Sequence, residues 1–400
     1  MTAFNIEKYL DSLPERIETI NISGKGLTYL PSLQRFHNLK TLNCCNNQLT
    51  SLPELNGSLK ALNCSRNRLT ILPELNNSLK ELYCYYNQLT CLPELKKSLK
   101  KLHCYHNQLT CLPELNHSLI ELNCSYNQLT CLPALNGSLT TLDCSRNKLT
   151  CLPELNDSLT TLCCSKNQLT GLPELNGSLT VLTCNYNRLT CLPKLNHSLK
   201  YLQCFNNQLT CLPELNDTLI TLHCSSNRLT ILPELNRSLT TLDCNYNRLT
   251  CLPKLNDSLT TLKCSNNQLT CLPELNDSLT TLTCDYNRLT ILPELNRSLT
   301  TLTCHNNQLT CLPELNDSLK SLKCMNNQLP YCYYNKLRFN LLNTYLIILT
   351  PTKKNEFNHI TRLLQKVKFT FMCVKYKKQF LDWVWITSTK NKNSVCRTRV

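Results

Sequence analysis

From His37 onward apolar residues fall in an order that fits neither a continuous helix nor a long alternating strand. In residues 277–296, DSLTTLTCDYNRLTILPELN, they stand at Leu279, Leu282, Cys284, Leu289, Leu292 and Leu295. Leu282 and Cys284 are two apart, so on a short extended strand they share one face, with Thr281, Thr283 and Asp285 on the other. One face is core and the other is display. Leu289, Leu292 and Leu295 must bring the chain back past the same core. Pro293 forbids a helical return, because it lacks an N–H and holds Leu292 extended. The return is predicted to be extended or polyproline-like.

The same 20 residues recur in register, beginning at His37, Gly57, Asn77, Lys97, His117, Gly137, Asp157, Gly177, His197, Asp217, Arg237, Asp257, Asp277 and Arg297. A period of this size predicts a solenoid whose units cannot bury their apolar faces alone. The expected organisation is an N-terminal helical cap at 1–14 and a repeat array at 15–330, followed by a basic C-terminal region at 331–400 that forms a helical cap or tail. Within the array, 15–36 is a divergent first rung with Gly24 and Gly26 at its bend, 37–316 holds fourteen full repeats, and 317–330 is a partial one. Asn5 is placed to cap a helix reaching Ser12, and Phe4 to pack against Tyr9.

The frame L-x-x-L-x-C-x-x-N-x-L-T-x-L-P-x-L resembles the leucine-rich repeat, and its L-P-x-L ending is similar to the short 20-residue class of bacterial type III effectors and giant-virus, mimivirus-like repeat proteins. The resemblance covers residues 15–330. It implies a horseshoe with a parallel β-sheet on the concave face, an extended convex face and small helical caps, and a scaffold that binds proteins without catalysis. The segment KKQFLDWVW, Lys377 to Trp385, is also similar to tails of giant-virus repeat proteins.

The chain departs from this family in its cysteines. The second apolar strand position is Cys in every repeat, from Cys44 to Cys324, which uses 15 of the 29 cysteines. A second column just before Leu-Pro holds Cys91, Cys111, Cys131, Cys151, Cys191, Cys211, Cys251, Cys271 and Cys311, but also Ser51, Ile71, Gly171, Ile231 and Ile291, and is predicted to be half-buried. Rung spacing of about 4.8 Å would permit disulfides. A reduced core is expected instead, since the first column should act as a buried small hydrophobe and no secretory signal opens the chain. One column of the repeat holds thirteen Asn-x-Ser/Thr sequons, from Asn56 to Asn316, which would crowd glycans at one-rung spacing, so they are read as turn residues. A cytoplasmic location follows, a host cytoplasm for a viral or effector protein.

A further column is Asn without exception: Asn47, Asn67, Asn87, Asn107, Asn127, Asn147, Asn167, Asn187, Asn207, Asn227, Asn247, Asn267, Asn287, Asn307 and Asn327. An amide donates and accepts, so at the bend ending each strand it can satisfy main-chain groups that leave the ladder. Specificity is assigned to the variable outward positions. Tyr83, Tyr85, Tyr86, His103, Tyr105, His106 and Tyr126 form one candidate partner-binding cluster. Tyr186 with Arg188, Tyr201, Phe205, Tyr246 with Arg248, and Tyr286 with Arg288 extend it, because Tyr and Arg combine large contact area with a polar end.

The formal charge of +15 is concentrated in one place. Residues 331–400 carry 14 Lys and Arg against Glu356 and Asp382, a net of +12, leaving 28 minus 25, or +3, for residues 1–330. Nucleic acid is therefore not expected on the array, whereas the basic tail is an alternative docking element for nucleic acid or a membrane surface. No transmembrane segment is expected, since the apolar run from Leu341 to Leu349 is too short. Phe357, Ile360, Leu364, Val367, Phe371 and Val374 keep helical spacing within a helix predicted from about 356 to 385. No catalytic residue, metal site or cofactor is expected, and the partner is a protein of unknown identity.

Overall fold

The L-x-C spacing leaves room for only three residues of strand before the chain must bend, and every rung has that length. The computed structural model describes residues 4–329 together with 347, 348, 355, 358, 359, 362 and 363. In its first unit, residues 1–267, helix α1 (Ile6–Asp11) precedes thirteen strands: β1 (Thr19–Asn21), then β2 (Thr41–Asn43) and its successors at twenty-residue intervals to β13 (Thr261–Lys263). The strands pair in parallel and in register, Leu42 opposite Leu62 and Leu62 opposite Leu82. Identical repeat positions therefore lie side by side, about one strand spacing of 4.8 Å apart.

The inward face is dry. Leu62, Cys64, Leu69 and Leu79 are each 0% exposed, and the same four positions are buried throughout the array. The Leu-Pro segments form no helix, as the proline requires. All cysteines among the described residues are free. Burial pushes the Cys44, Cys104, Cys204 and Cys324 thiols up to about 12, so they are neutral and unreactive. Several lie against a strand carbonyl one rung on, with Cys244 Sγ at 3.3 Å from Lys263 O and Cys164 Sγ at 3.4 Å from Thr183 O. The second cysteine column departs from expectation. Cys91, Cys111, Cys131 and Cys151 are exposed, and Ile71 and Ile231 in the same column are 59% and 60% exposed. Leu89 and Leu109 beside them already fill the interior, which leaves the following positions in solvent.

The bend after each strand is left-handed. Fifteen residues, one before every Asn of the invariant column, have φ between 52° and 56°, and none is glycine. The divergent first rung instead places Gly24 there, with φ 65°. An L side chain in this region costs on the order of 1–2 kcal/mol. The following amide offsets the cost by tying two rungs together. Asn207 Nδ2 donates to Cys184 O and Cys204 O, both at 3.0 Å, and its Oδ1 accepts from Leu189 N at 3.1 Å. A second Asn column serves the turn before the strand, where Asn136 Nδ2 donates to Leu119 O at 3.1 Å and Oδ1 accepts from Ser138 N at 3.0 Å.

Helix α1 lies on the first rung. Asn5 Oδ1 accepts from Lys8 N at 2.9 Å, Phe4 and Tyr9 rings are 5.3 Å apart, and Ile6 and Leu10 are buried. Arg35 reaches Asp11 at 3.2 Å and also donates to Leu10 O, while Tyr29 donates to Glu7.

In the second unit, residues 268–400, β14 (Thr281–Thr283), β15 (Thr301–Thr303) and β16 (Ser321–Lys323) have the same three-residue length and pair in parallel, Leu282 opposite Leu302 and Leu302 opposite Leu322. Part of the apolar run after the array is a strand, β17 (Ile347–Ile348), antiparallel to β16 with Leu322 opposite Ile347. It pairs an edge that would otherwise present free backbone groups. Asn358 closes two bonds on the Leu315 backbone, at 2.7 and 3.1 Å, and Arg362 binds Glu314 at 2.9 Å. Residues 355, 358, 359, 362 and 363 are helical, while the rest of the helix expected to 385, including its apolar face, lies outside the described residues. Among the described residues no helix is long and apolar enough to cross a membrane.

Two outcomes check this architecture. Native maleimide labelling, read by mass spectrometry, is expected to modify Cys91, Cys111, Cys131 and Cys151 and to spare Cys64, Cys84, Cys104 and Cys124 until denaturant is added. Asn207→Ala is expected to cost about 1–3 kcal/mol, because the Leu189 N–H loses its partner in the interior and Cys184 O and Cys204 O, which Asn187 and Asn227 also reach, each fall from two amide donors to one; a denaturation midpoint equal to that of the parent would reject the role.

Candidate protein-binding surface

Strand and bend together place four outward positions per rung on one side. In β4 (Glu81–Tyr83), β5 (Lys101–His103) and β6 (Glu121–Asn123) and the bends after them, those positions hold aromatic residues that meet across rungs. Tyr85 and Tyr105 stack with centroids 4.4 Å apart and planes 6° from parallel. Tyr83 meets His103 edge-on at 5.1 Å, and His103 leads on to Tyr105 at 6.4 Å. Tyr86 stacks on His106 at 4.2 Å, and His106 on Tyr126 at 3.8 Å. Tyr86 also meets Tyr85 and Tyr105 edge-on at 6.0 and 5.7 Å, so all seven rings belong to one network.

The left-handed bend column carries the most ordered part. Arg66 lies over the free face of Tyr86 at 4.7 Å, and Arg146 over that of Tyr126 at 4.4 Å. The run Arg66, Tyr86, His106, Tyr126 and Arg146 is thus three stacked rings with a guanidinium at each end, each contact worth about 0.5–1.5 kcal/mol. The two arginines were absent from the sequence-derived set, although the signal was there: all five residues lie twenty apart. A shallow groove follows the column, lined by the rings and by Gln88 and Gln108.

Polar contacts hold the cluster in place. His103 Nε2 lies 2.8 Å from Glu121 Oε1, Lys101 lies 3.9 Å from the same carboxylate, and Tyr83 donates to Glu81 at 3.2 Å. Burial pushes the Tyr83 and Tyr105 phenols up. Burial between two rings, and then the charge of Arg146, hold His106 below the usual histidine value.

The remaining candidates do not join this network. Tyr186 meets Phe205 edge-on at 5.4 Å, and its cation is Lys166 at 4.9 Å rather than its sequence neighbour Arg188. The partner comes from one rung earlier because in-register stacking brings residues twenty apart together, whereas Arg188 lies beyond the bend. Tyr201 and Tyr246 make no ring contact among the described residues, and Arg188 and Arg248 are exposed. In the second unit, Tyr286 meets His305 edge-on at 5.2 Å and His305 lies 2.6 Å from Asp285, while Arg288 is exposed. The Asn column faces the backbone rather than the surface, with every amide bonded as in Asn207, for example Asn107 Nδ2 to Cys84 O at 3.1 Å. Among the described residues no group of three or more His, Cys, Asp or Glu is placed to hold a metal ion.

The depressed His106 titration has a defined sign. Between its folded value and the ordinary value of about 6.5, the unfolded chain binds more protons than the folded one, so this group makes stability rise with pH across that window. The His106 midpoint measured by NMR is expected below 6.5, and Arg146→Gln is expected to move it upward.

No family model and no curated protein sequence matches the chain. Solved structures do. YopM from Yersinia enterocolitica is 34% identical, with 81% of this chain and 76% of that chain covered at a TM-score of 0.72. A leucine-rich repeat protein of Leptospira interrogans is 29% identical, with 84% and 97% covered at 0.73. The functional domain of InlJ from Listeria monocytogenes, which includes a cysteine ladder, is 29% identical, with 74% and 69% covered at 0.57. With its twenty-residue period, parallel strands and Asn-stapled bends, the chain belongs to the leucine-rich repeat proteins, in the short-repeat class of YopM.

Proposed function

We propose that this protein is a binding scaffold that takes up a protein partner on the strand face of its first unit, without catalysing a reaction. The observation that carries the reading is the seven-ring network across β4 to β6. The core of a rung is complete without it, since Leu82, Cys84 and Leu89 are 0% exposed beneath. Large rings ordered on the surface, with Tyr86 and Tyr126 still 40% and 39% exposed, supply the rigid apolar area that partner recognition uses. Their mutual stacking means that little side-chain entropy remains to be lost on docking.

Free thiols throughout the described residues support a reducing, cytoplasmic setting. A host cytoplasm is the finer form of this reading, supported by the likeness to YopM, a leucine-rich effector protein of Yersinia pestis, which is 36% identical over 77% of this chain. The N-terminal helix over the first rung serves as the cap that a solenoid end needs, and the basic segment 331–400 is assigned the same role at the other end.

Proximity labelling in the native cell, followed by cross-linked capture with the purified full chain, tests the proposal. Capture of the labelled partner is expected to fall at least tenfold with Tyr86→Ala/Tyr126→Ala and to be unchanged with Glu114→Gln on the return side. Equal capture by the double variant overturns the strand face as the site, and capture abolished only by deleting 331–400 gives the docking role to the basic tail.

A further inference from the structure

The near-neutrality of the array conceals a separation of charge. Across residues 40–267 each rung has a strand-and-bend segment, as in 60–68, and a return segment, as in 69–79. The strand-and-bend segments hold 15 Lys and Arg against only Glu81, Glu121, Asp143 and Asp243, a net of +11. The return segments hold five Lys and Arg against 11 Asp and Glu, a net of −6. The second unit is sorted in the same way: Arg288, Lys320 and Lys323 stand against Asp285 on strand segments, whereas Arg297 stands against Glu274, Asp277, Glu294, Glu314 and Asp317 on returns. A net of +3 over residues 1–330 averages two surfaces of opposite sign.

The positive side is densest beside the rings. Lys60, Lys80 and Lys100 occupy the position just before the strand in three successive rungs, all exposed and none ion-paired among the described residues. Arg66 and Arg68, then Arg146 and Lys148, stand exposed at the bend on the other flank. With in-register strands, the three lysines form a ridge at about 4.8 Å intervals. Tyr83, Tyr85, His103 and Tyr105 lie in a strip between that ridge and the bend column, in which Arg66 and Arg146 end the stack of Tyr86, His106 and Tyr126.

We infer that this face takes an acidic, extended segment of the protein partner, laid across the strands with its carboxylates on the lysine ridge and the bend arginines and its apolar side chains on the rings. The inference rests on the protein-binding reading above and names the partner's chemistry. The chain's own tail is not the occupant, since it carries +12. Single-stranded nucleic acid is disfavoured by the rings themselves. Bases stack on open aromatic faces, but here the rings close on one another at 3.8, 4.2 and 4.4 Å and guanidinium groups cover the ends. Glu81 and Glu121 within the strip would also repel a phosphate chain, whereas a polypeptide can set a cation against them. Charge of this kind steers encounter and selects among partners, and weakens with salt.

The test uses the full chain, a fluorescent peptide alternating Glu with Leu and Ser, its Gln counterpart, an oligothymidylate, and anisotropy at rising ionic strength. The acidic peptide alone is expected to bind, with affinity falling as salt increases. Lys60→Gln/Lys80→Gln/Lys100→Gln, which alters exposed side chains only, is expected to weaken it by tenfold or more, while Lys96→Gln/Lys97→Gln on the return side leaves it unchanged. Three results overturn the inference: no preference for the acidic over the Gln peptide, oligothymidylate binding more tightly through the same lysines, or salt-sensitive self-association in sedimentation velocity that the lysine variant abolishes, which would make a second copy the occupant. If the acidic peptide fails while partner capture still depends on Tyr86 and Tyr126, the scaffold reading stands and the charge inference alone falls.

Discussion

The architecture depends on one amide placed behind one unfavourable bend. A rung of twenty residues must stop its strand after three and turn the chain away before the next leucine, and it does so with a left-handed residue that is never glycine from Asn46 to Asn326. Alone, fifteen such bends would weigh heavily against a fold of ordinary net stability. The Asn that follows donates to its own rung and to the previous one, and accepts from the leucine N–H of the previous return, as Asn67 does with Cys64 O, Cys44 O and Leu49 N at 3.0, 3.0 and 2.9 Å. Each amide therefore stabilises a bend and an interface between rungs at once. Neighbouring rungs share the bond, so cooperativity spreads along the array through the same groups that make the bend tolerable.

Fixing the bend also fixes the register, and register turns the sequence period into columns of like residues. The thiol column is one result. A parallel in-register stack puts each Cys near its counterpart one rung away, and burial raises the thiols from Cys44 to Cys244, and those of Cys304 and Cys324, so the ladder acts as packing with a weak S–H donor rather than as redox chemistry. The sorting of charge is another. A lysine that recurs at one position accumulates along one side, and a glutamate after proline along the other, even when the sequence sums to almost nothing. Net charge over a repeat array is a poor guide to its surface for this reason; the relevant sum runs by position within the repeat.

Much of the fold was legible in the sequence. The Leu-x-Cys pair gave the strand and its inward face, Pro gave the extended return, and the period gave the solenoid. What stayed hidden has physical causes. The second cysteine column could not be placed by composition, because Ser, Gly, Ile and Cys are all compatible with a half-buried or an exposed site; burial of Leu89 and Leu109 decided it. The left-handed conformation carries no signature when Tyr occupies it as often as Asn and Arg, Lys, Ser and His take the remaining positions. Ring partners were sought among sequence neighbours, Tyr186 with Arg188, whereas contacts in a solenoid join residues twenty apart, Tyr186 with Lys166. Strand β17 was hidden for another reason: the apolar run containing it is too irregular for periodicity, and only the open edge of β16 gives it a place to pair.

The composition of the bend column itself argues for use rather than drift. If only backbone geometry mattered, Asn would be favoured there, since its short polar side chain tolerates the left-handed region better than other L residues. Asn does occupy it at 46, 206, 266, 306 and 326. Tyr occupies it at 86, 126, 186, 246 and 286, with His at 106 between the first two. An aromatic side chain at that bend keeps the strain and gives up the local compensation, and its return is a ring held at a fixed angle on the rim of the strand face. Where rings fall in consecutive rungs they stack, and cations from the rungs on either side close the ends. The bend is equally left-handed at every rung, and what sets residues 86–126 apart is that three consecutive bends, Tyr86, His106 and Tyr126, are aromatic; the proposed recognition role rests on that run beside the lysine ridge.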